Sequence, residues 1–208
     1  MFKILFLSAF AIFSNTCLTA QSGPADSLLS PFRTLPDDTV TLRKLYELAE
    51  HVSESDLETS RHIYGAAYAL AWRIDAPTWR PKLQLGIGRN EANLGRPDSA
   101  LFYFNLARQG FEKQGDQRGL ANVLTKIRWV YNYLGDFEKG NVYILQAIKI
   151  YERLGDAKGL ANAYTYLGEN LYNQNNYQDA ARYIQKAYEL QKQHAYDEDL
   201  ACSAQSLG

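Results

Sequence analysis

The residues that are able to carry out chemistry are spread through this 208-residue chain without forming a catalytic set. Gly86-Ile87-Gly88 begins like a phosphate-binding loop, but Glu91 stands where a glycine is needed and the pattern lies inside a predicted helix. We therefore interpret these glycines as points of close helix contact. Asp37-Asp38 and Glu198-Asp199 are adjacent carboxylates beside predicted helix starts, where acidic side chains favour the helix dipole. The sequence has no Gly-x-Ser-x-Gly or His-Glu-x-x-His motif, so we predict that it is not an enzyme and uses no cofactor.

Metal ions and nucleic acids are also disfavoured as ligands. His51, His62 and His194 are scattered, with no cysteine or carboxylate cluster at the spacing that metal ligands need. The formal net charge is −1, so there is no basic excess to neutralise phosphates. The sequence therefore predicts a protein that binds neither metal nor nucleic acid.

Residues 1–20 follow the pattern of a secretory signal peptide. Lys3 precedes an apolar run from Ile4 to Phe13, and Ala20 offers a small residue at the predicted cleavage site. The run is about half of the ~20 residues that span a bilayer. We predict cleavage after Ala20 and a periplasmic or extracellular location, with a retained membrane anchor or a lipid on Cys17 as alternatives. After cleavage Cys202 is the only cysteine, so no internal disulfide is expected.

An internal repeat of 40 residues accounts for most of the remaining chain. Residues 112–124 and 152–164 share seven of thirteen residues, and the same frame continues from about residue 42 to Gly208. Apolar residues recur at three- and four-residue intervals within each unit, as in amphipathic helices. Gly155 is predicted to end one helix in the left-handed conformation, and Asp156 to cap the next. Each unit is therefore expected to be a pair of helices.

The spacing of Leu167-Gly168, Leu171, Tyr177, Ala180 and Ala187 resembles the tetratricopeptide repeat signature. The resemblance implies an all-α fold, a right-handed α-solenoid of antiparallel helix pairs. It predicts a spacer at residues 21–38, with a brief helix near residues 27–35, and a solenoid at residues 39–208. Its units are about 39–76, 77–115, 116–155, 156–196 and a partial fifth at 197–208.

Three details of the repeat differ from the family pattern. Each unit is about six residues longer than the basic ~34, and we predict that the extra residues lengthen the link near residues 154–159. Arg128 replaces the small residue of the first helix in unit three, and Gly140 replaces the alanine of the second helix. Unit three is therefore expected to be less typical than its neighbours.

The partial fifth unit leads us to expect a chain that continues beyond residue 208, with a terminal cap as the alternative. The signal peptide and repeats also resemble the N-terminal region of bacterial sensors. That resemblance implies an output domain, a histidine kinase or a transcriptional regulator, further along the chain.

Solenoids of this family use the first helix of each unit to line a concave groove, so the resemblance implies a protein or peptide partner bound there. Asparagine amides can bond to a peptide backbone, and aromatic side chains can anchor apolar groups. Most tyrosines are instead expected in the core: Tyr131, Tyr151, Tyr164, Tyr177, Tyr183 and Tyr188. A merely solvated face is the alternative for the groove positions, which are Arg89, Asn93, Asn122, Thr125, Trp129, Asn132, Tyr133, Asn162, Thr165, Glu169, Tyr172 and Asn173.

Overall fold

The structure of the protein is a computed structural model that describes residues 23–206, with the side chains of residues 23–193. The secondary structure of this range is helical and contains no strand. The predicted all-α class is therefore confirmed. The helices are α1 (Pro24–Leu29), α2 (Thr39–Val52), α3 (Leu57–Arg73), α4 (Arg80–Asn93), α5 (Pro97–Gln114), α6 (Gln117–Tyr133), α7 (Phe137–Leu154), α8 (Ala157–Asn173) and α9 (Tyr177–Ser206).

Among the described residues, those from Gly23 to Pro36 belong to a compact unit of their own. It contains α1 and a 3₁₀ helix at Ser30–Thr34, so a helix does lie close to the range predicted within the spacer. Pro24 and Pro31 stand in the first turns of these helices, where a missing N–H costs nothing. An ion pair of 3.0 Å between Arg33 and Asp26 joins the two helices.

The second compact unit begins at Asp37 and contains the repeat as four helix pairs, α2–α3, α4–α5, α6–α7 and α8–α9. Links of two to six residues make successive helices antiparallel neighbours. Only two residues, Gly155 and Asp156, separate α7 from α8. The prediction of a longer link was therefore wrong. The extra residues extend the helices instead, because one left-handed residue and one cap are enough to reverse the chain.

The helix reversals recur at a fixed spacing. A residue with positive φ ends a helix in each link from α3 to α9, and these residues lie 20 positions apart: Asp75, Gly95, Gly115, Gly135, Gly155 and Asn175. Gly155 has φ 63°, and the Asp156 carboxylate accepts a bond of 2.9 Å from the Gly159 N–H. The predicted roles of Gly155 and Asp156 are confirmed.

The apolar core runs from one pair into the next. Ile144 and Ile148 of α7 form one cluster with Leu124 of α6 and Leu167 of α8. Each such side chain contributes about 1.5–3 kcal/mol when it is fully buried. A second cluster joins α5 to α6. No single pair covers its own apolar surface, so the pairs stabilise one another.

Small residues set the distance between the helices of a pair. A Cβ atom on Gly88 would lie 2.6 Å from the Phe104 ring, and one on Gly168 would lie 3.2 Å from the Ala180 carbonyl oxygen. Gly86 of α4 meets the Tyr64 ring of α3, so a small residue also allows close contact between the first two pairs. The interpretation of Gly86 and Gly88 as helix-contact residues inside α4 is therefore confirmed.

The last helix, α9, runs without interruption from Tyr177 to Ser206. The predicted start of a fifth unit at residue 197 falls inside it, and that boundary stays a prediction. Ala195 and Tyr196 stand where the preceding unit has Gly155 and Asp156, so both signals that reverse the chain are missing. The predicted signal peptide lies outside the described residues. Among those described, none of the helices combines the length and apolar character needed to cross a membrane.

A candidate partner-binding face on the first helices

The first helices of units two to four, α4, α6 and α8, present one side to solvent, which we call the first-helix face. Its exposed positions in α6 recur in α8 at an offset of 40: Arg118, Asn122, Trp129 and Tyr133 correspond to Lys158, Asn162, Glu169 and Asn173. Hydrogen bonds from Arg128 and Asn132 to Asn170 hold α6 beside α8. The repeat therefore aligns equivalent side chains along neighbouring helices.

The predicted groove residues differ in how far they reach this face. Arg89, Asn132 and Thr165 are half-buried, and Thr125 is buried, with its hydroxyl donating to the Asn122 carbonyl oxygen at 2.7 Å. Thr125 therefore has no free hydroxyl proton to offer a partner. The other eight positions are exposed: Asn93, Asn122, Trp129, Tyr133, Asn162, Glu169, Tyr172 and Asn173.

Arg89 is already engaged within the fold. Its guanidinium forms an ion pair of 2.9 Å with Glu50 and lies 3.1 Å from the Tyr64 hydroxyl, which donates to Glu50. Burial alone would raise the pKa of Glu50, but the hydrogen bond from Tyr64 and the charge of Arg89 lower it. Burial and the same hydrogen bond raise the pKa of Tyr64. Arg89 therefore ties α4 to unit one, and only part of it reaches the face.

An amide network joins units three and four beneath the face. The Asn170 amide donates to Asn141 at 3.0 Å, and Asn141 donates to Gln174 at 2.9 Å. The Asn132 amide also lies against Asn170. Buried amides need such partners, since an unmade hydrogen bond costs about 1–3 kcal/mol. The network therefore fixes the relative position of α6, α7 and α8.

Arg128 enters the same network although it is a cation. It is 5% exposed, its guanidinium lies 4.4 Å from the centre of the Tyr166 ring, and it donates to Asn170 at 3.1 Å. Its Nε has no hydrogen-bond partner. Burial lowers the pKa of this guanidinium. From the sequence, Arg128 was predicted only to be an irregularity of the repeat. No local sequence pattern indicates that its side chain contacts Tyr166 and Asn170.

Lys126 is a residue of the face that the groove prediction omitted. It lies four residues after Asn122 and three before Trp129, in line with both on α6. Partial burial lowers the pKa of its ammonium group, and the nearby charges of Arg89 and Arg128 lower it further. The excess of basic residues in the three first helices was the available signal. They contain seven basic and two acidic side chains, in a chain whose net charge is −1.

The adjacent carboxylates that the sequence offered as candidate chemical groups have structural roles where the structure describes their side chains. Asp38 caps α2 by accepting from the Thr41 N–H at 2.7 Å, and Asp37 pairs with Arg73. The interpretation of this acidic pair as a helix-start feature is confirmed for Asp38. The side chains of Glu198 and Asp199 lie outside the described part. Within that part no group of three potential metal ligands comes together.

Comparison with known proteins supports the repeat assignment. Residues 130–193 match the family model described as tetratricopeptide repeat. None of the curated proteins matches the sequence.

Solved structures resemble the chain in fold. Aspartyl phosphate phosphatase F from Bacillus subtilis is 17% identical with a TM-score of 0.75, over 80% of this chain and 44% of that one. A Rap protein in complex with competence and sporulation factor is 14% identical with a TM-score of 0.69, over 82% and 48%. A signal-transduction ATPase with a tetratricopeptide repeat sensor, from Pyrococcus horikoshii, is 19% identical with a TM-score of 0.68, over 82% and 27%.

These identities demonstrate a shared fold and nothing more, and the chain spans half or less of each of these three structures. The helix pairs, their common frame and the matching segment agree with one another. The chain is therefore a helical-repeat protein whose fold is similar to that of tetratricopeptide repeat structures, and residues 130–193 match the tetratricopeptide repeat model.

Proposed function

We propose that this chain is a non-enzymatic scaffold that binds a protein or peptide along the first-helix face and acts outside the cytoplasm. The observation that carries the proposal is the alignment of exposed side chains on α6 and α8. Trp129 and Tyr133 are 37% and 66% exposed on α6, and Asn122 and Asn162 lie at equivalent exposed positions. Large aromatic groups and adaptable amides are side chains from which peptide-binding surfaces are built.

The basic residues of the face favour a partner with acidic groups. Lys126 lies between Asn122 and Trp129, and its charge is opposed by burial and by two neighbouring cations. A carboxylate from a partner would relieve this repulsion and form a charge-assisted hydrogen bond. We therefore propose a peptide segment in which an acidic residue lies close to an aliphatic or aromatic residue.

A random peptide library displayed on phage provides the test. Selection against the immobilised chain is expected to enrich acidic residues next to apolar ones. Trp129→Ala combined with Tyr133→Ala should weaken binding of the selected peptides by tenfold or more, because anchors of this kind contribute about 1–2 kcal/mol each. Lys126→Met should weaken only the acidic peptides.

The matched control is Val142→Ala combined with Leu145→Ala, which removes exposed apolar side chains from the second helix of unit three. This variant should bind the selected peptides as the unchanged protein does. Equal binding by the aromatic double variant, or a collapse of its thermal midpoint, would exclude the first-helix face as the binding surface.

The extracytoplasmic location rests on the composition of residues 1–20. An alkaline phosphatase fused after residue 38 should be active in a bacterial host. Activity that persists when Lys3 and the apolar run are replaced by polar residues would contradict export.

A sensor region is the second candidate, favoured by the fold shared with the repeat sensor of the signal-transduction ATPase. In that case partner binding would be read out by a histidine kinase or a transcriptional regulator. The open reading frame decides between the two: a membrane span and an output domain after the repeats would establish the sensor.

A further inference from the structure

One position of the repeat differs in chemical character among three successive units. Arg89 of α4, Trp129 of α6 and Glu169 of α8 are equivalent at the repeat offset of 40. Trp129 and Glu169 are exposed, and Arg89 is half-buried. The first-helix face therefore presents a cation, an aromatic ring and a carboxylate in that order along the stack.

The positive end of this row contains a second cation, Lys126, at the junction where α4 contacts α6. Burial lowers the pKa of the Lys126 ammonium group, and the charges of Arg89 and Arg128 lower it further. Arg89 is paired with Glu50 at 2.9 Å. Lys126 forms no ion pair with any side chain in the described range, so its charge is available to an anionic partner.

The negative end of the row belongs to the face and not to the end of the stack. Burial lowers the pKa of the Arg128 guanidinium and the Glu169 carboxylate raises it, so Glu169 acts on α6. Trp129 holds the equivalent position in unit three and is 37% exposed although α8 packs beyond α6. Within residues 23–193, Glu169 forms no ion pair.

An extended peptide matches the spacing of this row. Packed helices lie about 8–10 Å apart, and α6 and α8 are held together through Asn170. Residues i, i+2 and i+4 of an extended chain point to the same side. At about 3.3 Å per residue, i and i+4 are about 13 Å apart, slightly more than one helix spacing.

On the basis of the proposed function, we propose that the bound peptide is bipolar, with an acidic, an apolar and a basic residue at i, i+2 and i+4. The acidic residue binds Lys126 and the exposed part of Arg89. The apolar residue packs on Trp129, and the basic residue pairs with Glu169. Two charges of opposite sign on either side of one aromatic anchor thus select both the acid and the base.

Fluorescence anisotropy with labelled synthetic peptides provides the test. All peptides have a central leucine in a frame of serine and threonine, with glutamate and lysine, two glutamates, two lysines or two glutamines at i and i+4. The glutamate–lysine peptide is made in both chain directions. In one of these directions it should bind about threefold or more tightly than the other compositions, since an exposed ion pair contributes up to about fivefold. High salt should reduce this advantage.

Two charge reversals should each transfer the preference. Glu169→Arg should favour the peptide with two glutamates, and Lys126→Glu the peptide with two lysines. A carboxylate at position 126 would lie near Arg89 and Arg128, so the fold should be retained, and thermal unfolding followed by circular dichroism checks this for both variants. Glu54→Arg is the matched control, because it makes the same reversal in the exposed link between α2 and α3. It should keep the preference for the bipolar peptide.

The outcomes separate this inference from the proposed function. If all compositions bind equally and the Trp129→Ala, Tyr133→Ala variant weakens them all, the face binds peptides without reading charge and the bipolar ligand is wrong. The same conclusion follows if Glu169→Arg still prefers the bipolar peptide. If neither these peptides nor any from the random library bind, the proposed function fails as well.

Discussion

Arg128 stands where units two and four have Gly88 and Gly168, and Gly140 stands where they have Ala100 and Ala180. The two substitutions belong together in the structure. Arg128 extends towards α8 and contacts Tyr166 and Asn170, while Gly140 lies where a Cβ atom would collide with the Asn132 amide. Volume gained on the first helix is thus compensated by volume given up on the second, as close packing requires.

At the same residue scale, Lys126 should be unfavourable for stability. Its folded-state pKa is lowered, chiefly by burial, so its charged form destabilises the fold at all pH values below that pKa. We expect Lys126→Met to raise the free energy of unfolding at pH 7, because it removes the cost of burying this charge.

The gain should shrink as pH rises towards about 10.4, the pKa of an unfolded lysine, because the unchanged protein then loses the same charge. Urea unfolding of both proteins at pH 7 and pH 10 measures the difference. A destabilised variant at pH 7 would contradict the argument, and Lys82→Met at an exposed position of α4 is the control that should change little.

At the scale of the helices, the sequence was a reliable guide where the cause is local. A left-handed glycine and a capping aspartate act within a few residues, so the reversal at Gly155-Asp156 could be read from the sequence. Pro97 at the start of α5 is a local signal of the same kind, since proline is tolerated in the first turn of a helix.

Features that depend on contact with a neighbouring helix could not be predicted from the sequence. Thr125 is buried and Lys126 reaches the face, because packing against α5 and α7 sets the rotation of α6. Ile148 is 5% exposed and Tyr188, forty positions later, is 57% exposed, because only Ile148 is covered by a following helix. The prediction that Tyr177 and Tyr188 belong to the core is wrong, because no described residue covers them.

The link between α7 and α8 gives a prediction at this scale. Gly155 has φ 63° and no neighbouring atom within 4 Å of a Cβ position, so its substitution changes backbone strain alone. Gly155→Ala should lower the free energy of unfolding by about 1–2 kcal/mol, the cost of a left-handed alanine.

Asn175→Gly is the matched control, because residue 175 has φ 62° and glycine suits that conformation. It should leave the free energy of unfolding unchanged or slightly higher. Equal effects of the two substitutions in chemical unfolding would show that the left-handed residues do not determine the links.

At the scale of the whole stack, the junctions between units differ in chemistry. Units one and two are joined by ion pairs, Glu50 with Arg89 at 2.9 Å and Glu58 with Arg96 at 2.6 Å. Units three and four are joined by the apolar cluster around Ile144 and Leu167, by amides around Asn170 and by an ion pair of 3.3 Å between Arg118 and Asp156. Because amides do not titrate, the first junction should respond to acid more strongly than the second.

Acid is expected to loosen units one and two first. The pKa of Glu58 is lowered by its hydrogen bond with Arg61 and by Arg96, and the pKa of Glu50 is also lowered. A carboxyl group with a lowered folded-state pKa stabilises the fold above its unfolded pKa of about 4.3, and this contribution is lost as pH falls through the folded value.

Pulsed hydrogen exchange after equilibration between about pH 5 and pH 3 locates the loss. Residues 39–93 should lose protection at a higher pH than residues 117–173. Glu50→Gln should reduce the pH dependence of the first junction. Simultaneous loss along the stack would mean that the junction chemistry does not control acid stability.

The left-handed residues lie 20 positions apart, whereas the packing pattern of the side chains repeats every 40. The spacing of the left-handed residues therefore does not distinguish a link inside a unit from a link between units, and a unit is recognised by which small and large side chains meet. A duplication or deletion of 20 residues would preserve every turn and mismatch every contact. Inherited changes in the length of such a chain are consequently constrained to pairs of helices by the packing of its core.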